Sequence, residues 1–134
     1  MATKIFLNLP VKDLNRSVRF FTALGYTFNQ EFTDENATCM VISDTIFVML
    51  LTEPFFKGFT NEDICDTSRF TEVLICLSAE SREEVDAIVR KAVAEGATTP
   101  KDKQDHGWMY GHGFKDLDGH IWEFSYMDAT AIPQ

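Results

Sequence analysis

The sequence predicts an α+β fold of two βαβββ modules, and three observations carry that prediction. Each half opens with a strand-like run followed by an amphipathic helix with a capping residue. Each helix stops at a glycine, Gly25 or Gly96. Each half then continues as short β-rich runs divided by polar turns, and the recurrence of this order implies internal duplication.

In the first module, spanning about residues 4–52, the opening run KIFLNLPV alternates. Ile5, Leu7, Leu9 and Val11 share one face, and Phe6, Asn8 and Pro10 share the other. Asp13 and Asn15 are N-cap residue types, and Leu14, Val18, Phe21 and Leu24 recur at helical spacing up to Gly25. Three strand-like runs follow: YTFNQEF, NATCMVIS and TIFVMLLT. Turns at Asp34-Glu35-Asn36 and Ser43-Asp44 make them antiparallel neighbours.

The plan restarts at Thr71 in a second module of about residues 71–127. TEVLICL reads as a strand, and Ser81 caps a helix carrying Val85, Ile88, Val89, Ala92 and Val93. ATTPK, WMYGHGF and HIWEFSY are the following strands, the last two joined by a tight hairpin at Asp116-Leu117-Asp118-Gly119. Between the modules, residues 53–70 are long for a connector and carry Phe55, Phe56, Phe59 and Phe70. Such a segment serves either as an aromatic strap packed on the body or a second subunit, or as a lid.

A chain of 134 residues, 45% of them hydrophobic, suits one domain over 1–134. The formal charge of -9 and the absence of a Lys/Arg cluster argue against nucleic acid as a partner. No apolar run approaches the roughly 20 residues of a membrane span, so a cytoplasmic protein is expected. Cys39, Cys65 and Cys76 are odd in number and lack metal-like spacing, and they read as small buried residues.

Two segments resemble the vicinal oxygen chelate superfamily, which includes glyoxalase I, extradiol dioxygenases and the bleomycin and fosfomycin resistance proteins. They are FLNLPVKDLNRSVRFFTALGY near the start and FKDLDGHIWEFSY near the end. The resemblance implies mixed, largely antiparallel sheets curled into a glyoxalase-like cup, a homodimer, and a divalent metal (Zn, Ni, Mn or Fe) held by one residue from the first and last strands of each module. Glu123 falls on the ligand position of the closing motif, and Glu72 on that of the second module's opening strand. The first module departs from the pattern, with Phe6 and Met49 at the corresponding positions. Neither offers a donor for a hard cation, so the four-ligand set is incomplete and a metal-free protein is the alternative.

Strand parity adds further candidates. On TEVLICL the stripe Val73, Ile75 and Leu77 turns Glu72, Leu74 and Cys76 to the opposite face. Pairing centred on Asp118-Gly119 would set Phe114 opposite Glu123 and bring His112 one diagonal step away, with Tyr110 on the same face. A carboxylate beside an imidazole can move a proton or share a metal. Trp108 and His106 belong near the rim, where the glycines of DHGWMYGHG let a ligand approach the backbone. His120 takes the opposite parity and falls outside the site.

Three functions are compatible with these residues. One is a lyase, isomerase or dioxygenase acting beside a carbonyl or enolate oxygen, with Glu123, Glu72 and His112 as catalytic or metal-binding groups. The second is a protein that sequesters a small molecule in an apolar cup, with Phe6, Asn8, Met49, Trp108 and Tyr110 as contacts. The third is an interaction module with an occluded cup.

Overall fold

A computed structural model describes residues 2–130. The chain divides into two compact units that meet at Ile64 and Cys65. Each unit contains a mixed four-stranded sheet with one topology, so the α+β class and the βαβββ order read from the sequence hold.

In the first unit, β1 (Ile5–Val11) leads into α1 (Leu14–Ala23), and β2 (Thr27–Asn29), β3 (Ala37–Val41) and β4 (Ile46–Thr52) follow. The sheet order is β1-β4-β3-β2, with β1 parallel to β4 and the other pairs antiparallel. Of the two cap candidates, Asp13 serves, its carboxylate accepting from the Arg16 amide at 3.1 Å. Leu9, Val11, Val48 and Leu50 are buried beside Phe20 and Phe21 of α1. Pro10 is tolerated because β1 is an edge strand. The run YTFNQEF is strand only over β2, since the Asn29 side chain accepts from the Glu31 amide at 2.9 Å and turns the chain into a 3₁₀ segment.

The connector carries α2 (Glu53–Phe56) and a 3₁₀ turn over Lys57–Phe59, and α2 packs on β1 and β4. Phe55 and Phe59 meet edge to face at 5.2 Å.

The second unit runs β5 (Leu74–Ser78), α3 (Arg82–Ala94), β6 (Gln104–Asp105), β7 (Met109–Lys115) and β8 (Ile121–Met127). Its order, β5-β8-β7-β6, repeats that of the first sheet, with β5 parallel to β8. Ser81 Oγ accepts from the Glu84 amide at 3.0 Å while the Glu84 carboxylate accepts from the Glu80 amide at 2.8 Å, a reciprocal start for α3. The ends of α1 and α3 match in detail: Gly25 and Gly96 both have φ of +107°, and the amides after them, Tyr26 and Ala97, donate back to Phe21 and Ala92. Val85, Val89 and Ala92 of α3 are buried with Ile75, Phe114, Trp122 and Phe124 of the sheet.

Three expectations are corrected here. ATTPK is not a strand; Thr98 alone bridges to Lys115, and the edge strand is β6, because Pro100 supplies no amide to a ladder. The strand expected from Thr71 begins at Leu74, leaving Glu72 outside it. Of the cysteines only Cys39 is buried; Cys65 is half-buried and Cys76 exposed, the last because its parity turns it to the open face of β5.

The β7–β8 connection explains the motif DLDGHIW. The Asp116 carboxylate is buried and accepts from the Asp118 amide (2.9 Å), the His120 amide (3.0 Å) and the Trp122 indole Nε1 (2.9 Å). Burial pushes its carboxyl above the ordinary range, while His120 and these donors pull the other way. From outside, the Thr67 hydroxyl donates to the Asp118 carbonyl at 2.6 Å. Gly119, at φ +84°, leaves the space that Thr67 fills, and a Cβ there would collide with the Thr67 side chain. Gly119→Ala is therefore expected to cost about 2 kcal/mol or more. Gly25→Ala, at a positive φ with open space around it, should cost about 1 kcal/mol. Urea denaturation of the two variants measures the difference.

Candidate functional site

The five residues of the turn, 116–120, set a register one step from the expected one: Gly113 lies opposite Glu123, His112 opposite Phe124, and Phe114 opposite Trp122. The consequence for the site is direct, because side chains alternate across a strand. Glu123 shares its face with Gly111, Gly113 and Ser125, whereas His112 and Tyr110 stand on the face that α3 covers. Tyr110 confirms the assignment, being buried with its hydroxyl donating to Asp86 of α3 at 2.6 Å. His112 is correspondingly turned away from Glu123, its Nε2 lying 3.1 Å from the Lys101 carbonyl.

Glu72 also goes elsewhere. Its Oε1 lies 3.0 Å from Nδ1 of His120, a ring that is only 1% exposed. Burial, and then the neighbouring Glu72 carboxylate, push the Cys65 thiol above its ordinary pKa. The Glu72–His120 pair, with Cys65 beside Glu72, thus fastens the segment before β5 to the β7–β8 turn. The residue placed outside the site, His120, is the partner of one placed within it.

Glu123 faces a hollow of about 240 Å³ on the second sheet. Its floor is formed by Gly111 and Gly113 with Ser125, and Leu74, Met109 and Ile121 add apolar wall. The glycines make the space. A Cβ on Gly113 would strike the Trp122 carbonyl oxygen and stand 3.2 Å from Cγ of Glu123. A Cβ on Gly111 would meet only the Ser125 hydroxyl, at 3.3 Å, and the edges of neighbouring atoms. Bare backbone on β7 lets Glu123 lie over its neighbour and leaves room beside it. Cys76, opposite Glu123 on β5, approaches Ser125 Oγ at 3.5 Å. Pro100, Lys101, Asp102 and Gln104 form one border, where His112 also reaches the edge of the hollow.

Arg82, at the start of α3, ties that border down. Its guanidinium donates to Asp105 at 2.8 Å and to the Gly107 carbonyl at 3.0 Å and lies over the Tyr110 ring at 4.9 Å. The hydrogen bond from Arg82, with that from the Gly107 amide, holds the Asp105 carboxyl below its ordinary pKa. Trp108 precedes β7, half-exposed, its carbonyl accepting from the Asp128 amide at 2.8 Å, and His106 is exposed beside it.

In the first unit Phe6, Asn8 and Met49 do share one sheet face, since Phe6 pairs with Phe47 and Asn8 with Met49. The Phe6 and Phe47 rings stack at 4.9 Å with 13° between planes. The Asn8 amide is turned onto the Phe6 carbonyl at 3.4 Å. The face is therefore aromatic and thioether, with no carboxylate or imidazole.

These donor positions do not assemble a metal centre: among the described residues no three His, Cys, Asp or Glu side chains converge. Glu72 is engaged by His120, His112 by a backbone carbonyl, and Glu123 stands with Gly113 opposite. The residues present do not fit the divalent ion that the resemblance implies.

Sequence reasoning missed Gly111, Gly113 and Ser125 as the floor. Ser125 was accessible, lying two residues from Glu123 on one strand. The glycines were noticed, but a register error moved their neighbours His112 and Tyr110 onto the wrong face.

Paired mixed sheets, each backed by a helix on one face, define a glyoxalase-type α+β fold. A family model described as bleomycin resistance protein-like N-terminal matches residues 3–43. A hypothetical protein from S. aureus is similar at 30% identity over 94% of this chain and 95% of its own, with a TM-score of 0.79. A glyoxalase/bleomycin resistance protein/dioxygenase family enzyme from Burkholderia phytofirmans superposes with a TM-score of 0.77 at 14% identity, covering 95% of this chain and all (100%) of that one. The fosfomycin resistance protein FosX from Listeria monocytogenes gives 0.68 at 18% identity, over 97% of both chains. A comparison with curated proteins gives no significant match. The chain belongs to the vicinal oxygen chelate superfamily. Among the described residues no helix is long and apolar enough to cross a membrane.

Proposed function

We propose that this protein binds a compact, largely apolar small molecule in the hollow over Gly111 and Gly113, with Glu123 meeting a protonated nitrogen or other strong donor on it. The Glu123 carboxylate carries the reading. It is half-buried at an apolar hollow, and among the described residues its side chain has no hydrogen bond or ion pair. A carboxylate left so is an acceptor awaiting a donor. The other charges at the border, Lys101 and Asp102, are of opposite sign, so Glu123 sets the sign of the site, and the chain's charge of -9 favours approach of a cation.

Sequestration fits this geometry better than a metal-dependent lyase, isomerase or dioxygenase. Such chemistry needs a cation held by several donors with positions left open, and Glu72 and His112 are committed to other partners. The test is calorimetric titration with aryl-alkyl amines and with neutral and carboxylate analogues of the same shape. The amines are expected to bind, and Glu123→Gln to weaken them by about 10- to 100-fold while leaving the thermal midpoint of the free protein within a few degrees. If no probe of any charge class binds, the reading fails.

A further inference from the structure

The border of the hollow is held very differently at its two ends. Residues 99–107 are exposed throughout. At one end β6 pairs with β7, Arg82 grips both Asp105 and the Gly107 carbonyl, and the guanidinium rests on a Tyr110 ring that is itself bonded to Asp86. At the other, Thr98 exchanges two backbone hydrogen bonds with Lys115, at 3.1 and 2.7 Å. Between these anchors lies Thr99–Lys103, of which Pro100, Lys101 and Asp102 line the hollow. Its backbone is held at the Lys101 carbonyl by His112 Nε2, at 3.1 Å, and at the Asp102 carbonyl by the adjacent Gln104 side chain, at 3.4 Å. Lys103 Nζ lies 6.0 Å from the centre of the Tyr110 ring. His112 is the contact from the central part of the sheet to the middle of the strap.

We propose that His112 is a positioning residue: by holding the Lys101 carbonyl it sets the strap Thr99–Lys103 against the sheet and so fixes the width of the hollow, which makes it a determinant of ligand size and residence time. A carbonyl can only accept, so the Nε2 nitrogen carries the proton in this contact. An exposed segment held between two firm anchors by a few side-chain contacts opens locally without unfolding its surroundings, and His112 supplies the contact at its middle. His112 is adapted to the task by parity. Its parity is opposite to that of Glu123, so its ring reaches the strap at the edge of the hollow that His112 helps to line, while Gly111 and Gly113 on either side keep the floor bare. The significance of the strap for binding rests on the proposed function, whereas the latch itself is testable without any ligand.

Trypsin supplies the test, because Lys101 and Lys103 are exposed and lie in the strap. In the native full-length protein, His112→Ala is expected to speed cleavage after these two residues by about 2- to 10-fold, the equivalent of one hydrogen bond. Cleavage after Lys57, in the other unit, should stay unchanged. His112→Gln, whose amide can still donate, should return the rate toward that of the parent. In ligand titrations with the aryl-alkyl amine, His112→Ala should dissociate faster. Unaltered strap cleavage in His112→Ala, or equal acceleration at Lys57, overturns the latch. Faster strap cleavage with no amine bound by the parent would support the latch and remove the ligand reading alone. Should His112→Ala fail to fold, ¹⁵N NMR of the parent decides: a protonated Nε2 supports the latch and an unprotonated one overturns it.

Discussion

Asp116→Ala should lower the free energy of unfolding by about 3–5 kcal/mol, seen as a fall in the urea midpoint with little change in slope. The substitution removes one buried carboxylate and strands three donors, the amides of Asp118 and His120 and the Trp122 indole. Trp122 is fully buried and cannot turn to water. The loss would spread to the site, because the same turn sets the register that puts Glu123 beside Gly113. Asp116→Asn should cost less, since an amide oxygen still accepts from the turn. It should also change the pH dependence with a definite sign. The folded-state pKa of Asp116 lies above its value of 3.8 in the absence of structure. The carboxyl's contribution is thus fully present below that value and declines as pH rises through the folded pKa. In Asp116→Asn this decline should vanish from stability curves measured above pH of about 4.

The second large effect is expected at Gly113. Replacement by Ala drives a Cβ into the Trp122 carbonyl oxygen and to 3.1 Å from Cα of Glu123. These are backbone atoms of a paired strand, so relief requires β7 and β8 to separate. A cost of about 3 kcal/mol follows, together with displacement of the Glu123 side chain and loss of amine binding. Gly111→Ala is the control. Its Cβ would touch the end of the Ser125 side chain at 3.3 Å, which can turn aside, and a cost under about 1 kcal/mol is expected. Its added methyl group nevertheless takes space from the hollow, so affinity for the larger amines should fall while stability holds.

These two residues show where the sequence was legible and where it was not. The module plan could be read because it rests on local chemistry: the caps at Asp13 and Ser81, the positive-φ glycines at Gly25 and Gly96, and the alternation of Leu7, Leu9 and Val11. The shared face of Phe6, Asn8 and Met49 follows from parity within strands whose pairing is parallel and in step. The site was harder because its geometry depends on a turn length. A connection centred on Asp118-Gly119 and the five-residue turn organised by Asp116 differ by one step, and one step exchanges His112 for Gly113 beside Glu123. Glu72 was misplaced for a different reason. Its partner, His120, is 48 positions away in sequence, and nothing local signals that a buried imidazole would claim it.

What Glu123 meets in solution, a donor on a small molecule or a metal ion, decides the function of the hollow. The most direct measurement combines metal analysis of protein purified without chelator with titration by the aryl-alkyl amine. The predicted result is less than about 0.1 equivalent of zinc, nickel, manganese or iron, with saturable amine binding that weakens by about 10- to 100-fold in Glu123→Gln. Stoichiometric metal that disappears in Glu123→Gln, with no amine bound by the parent protein, would contradict it.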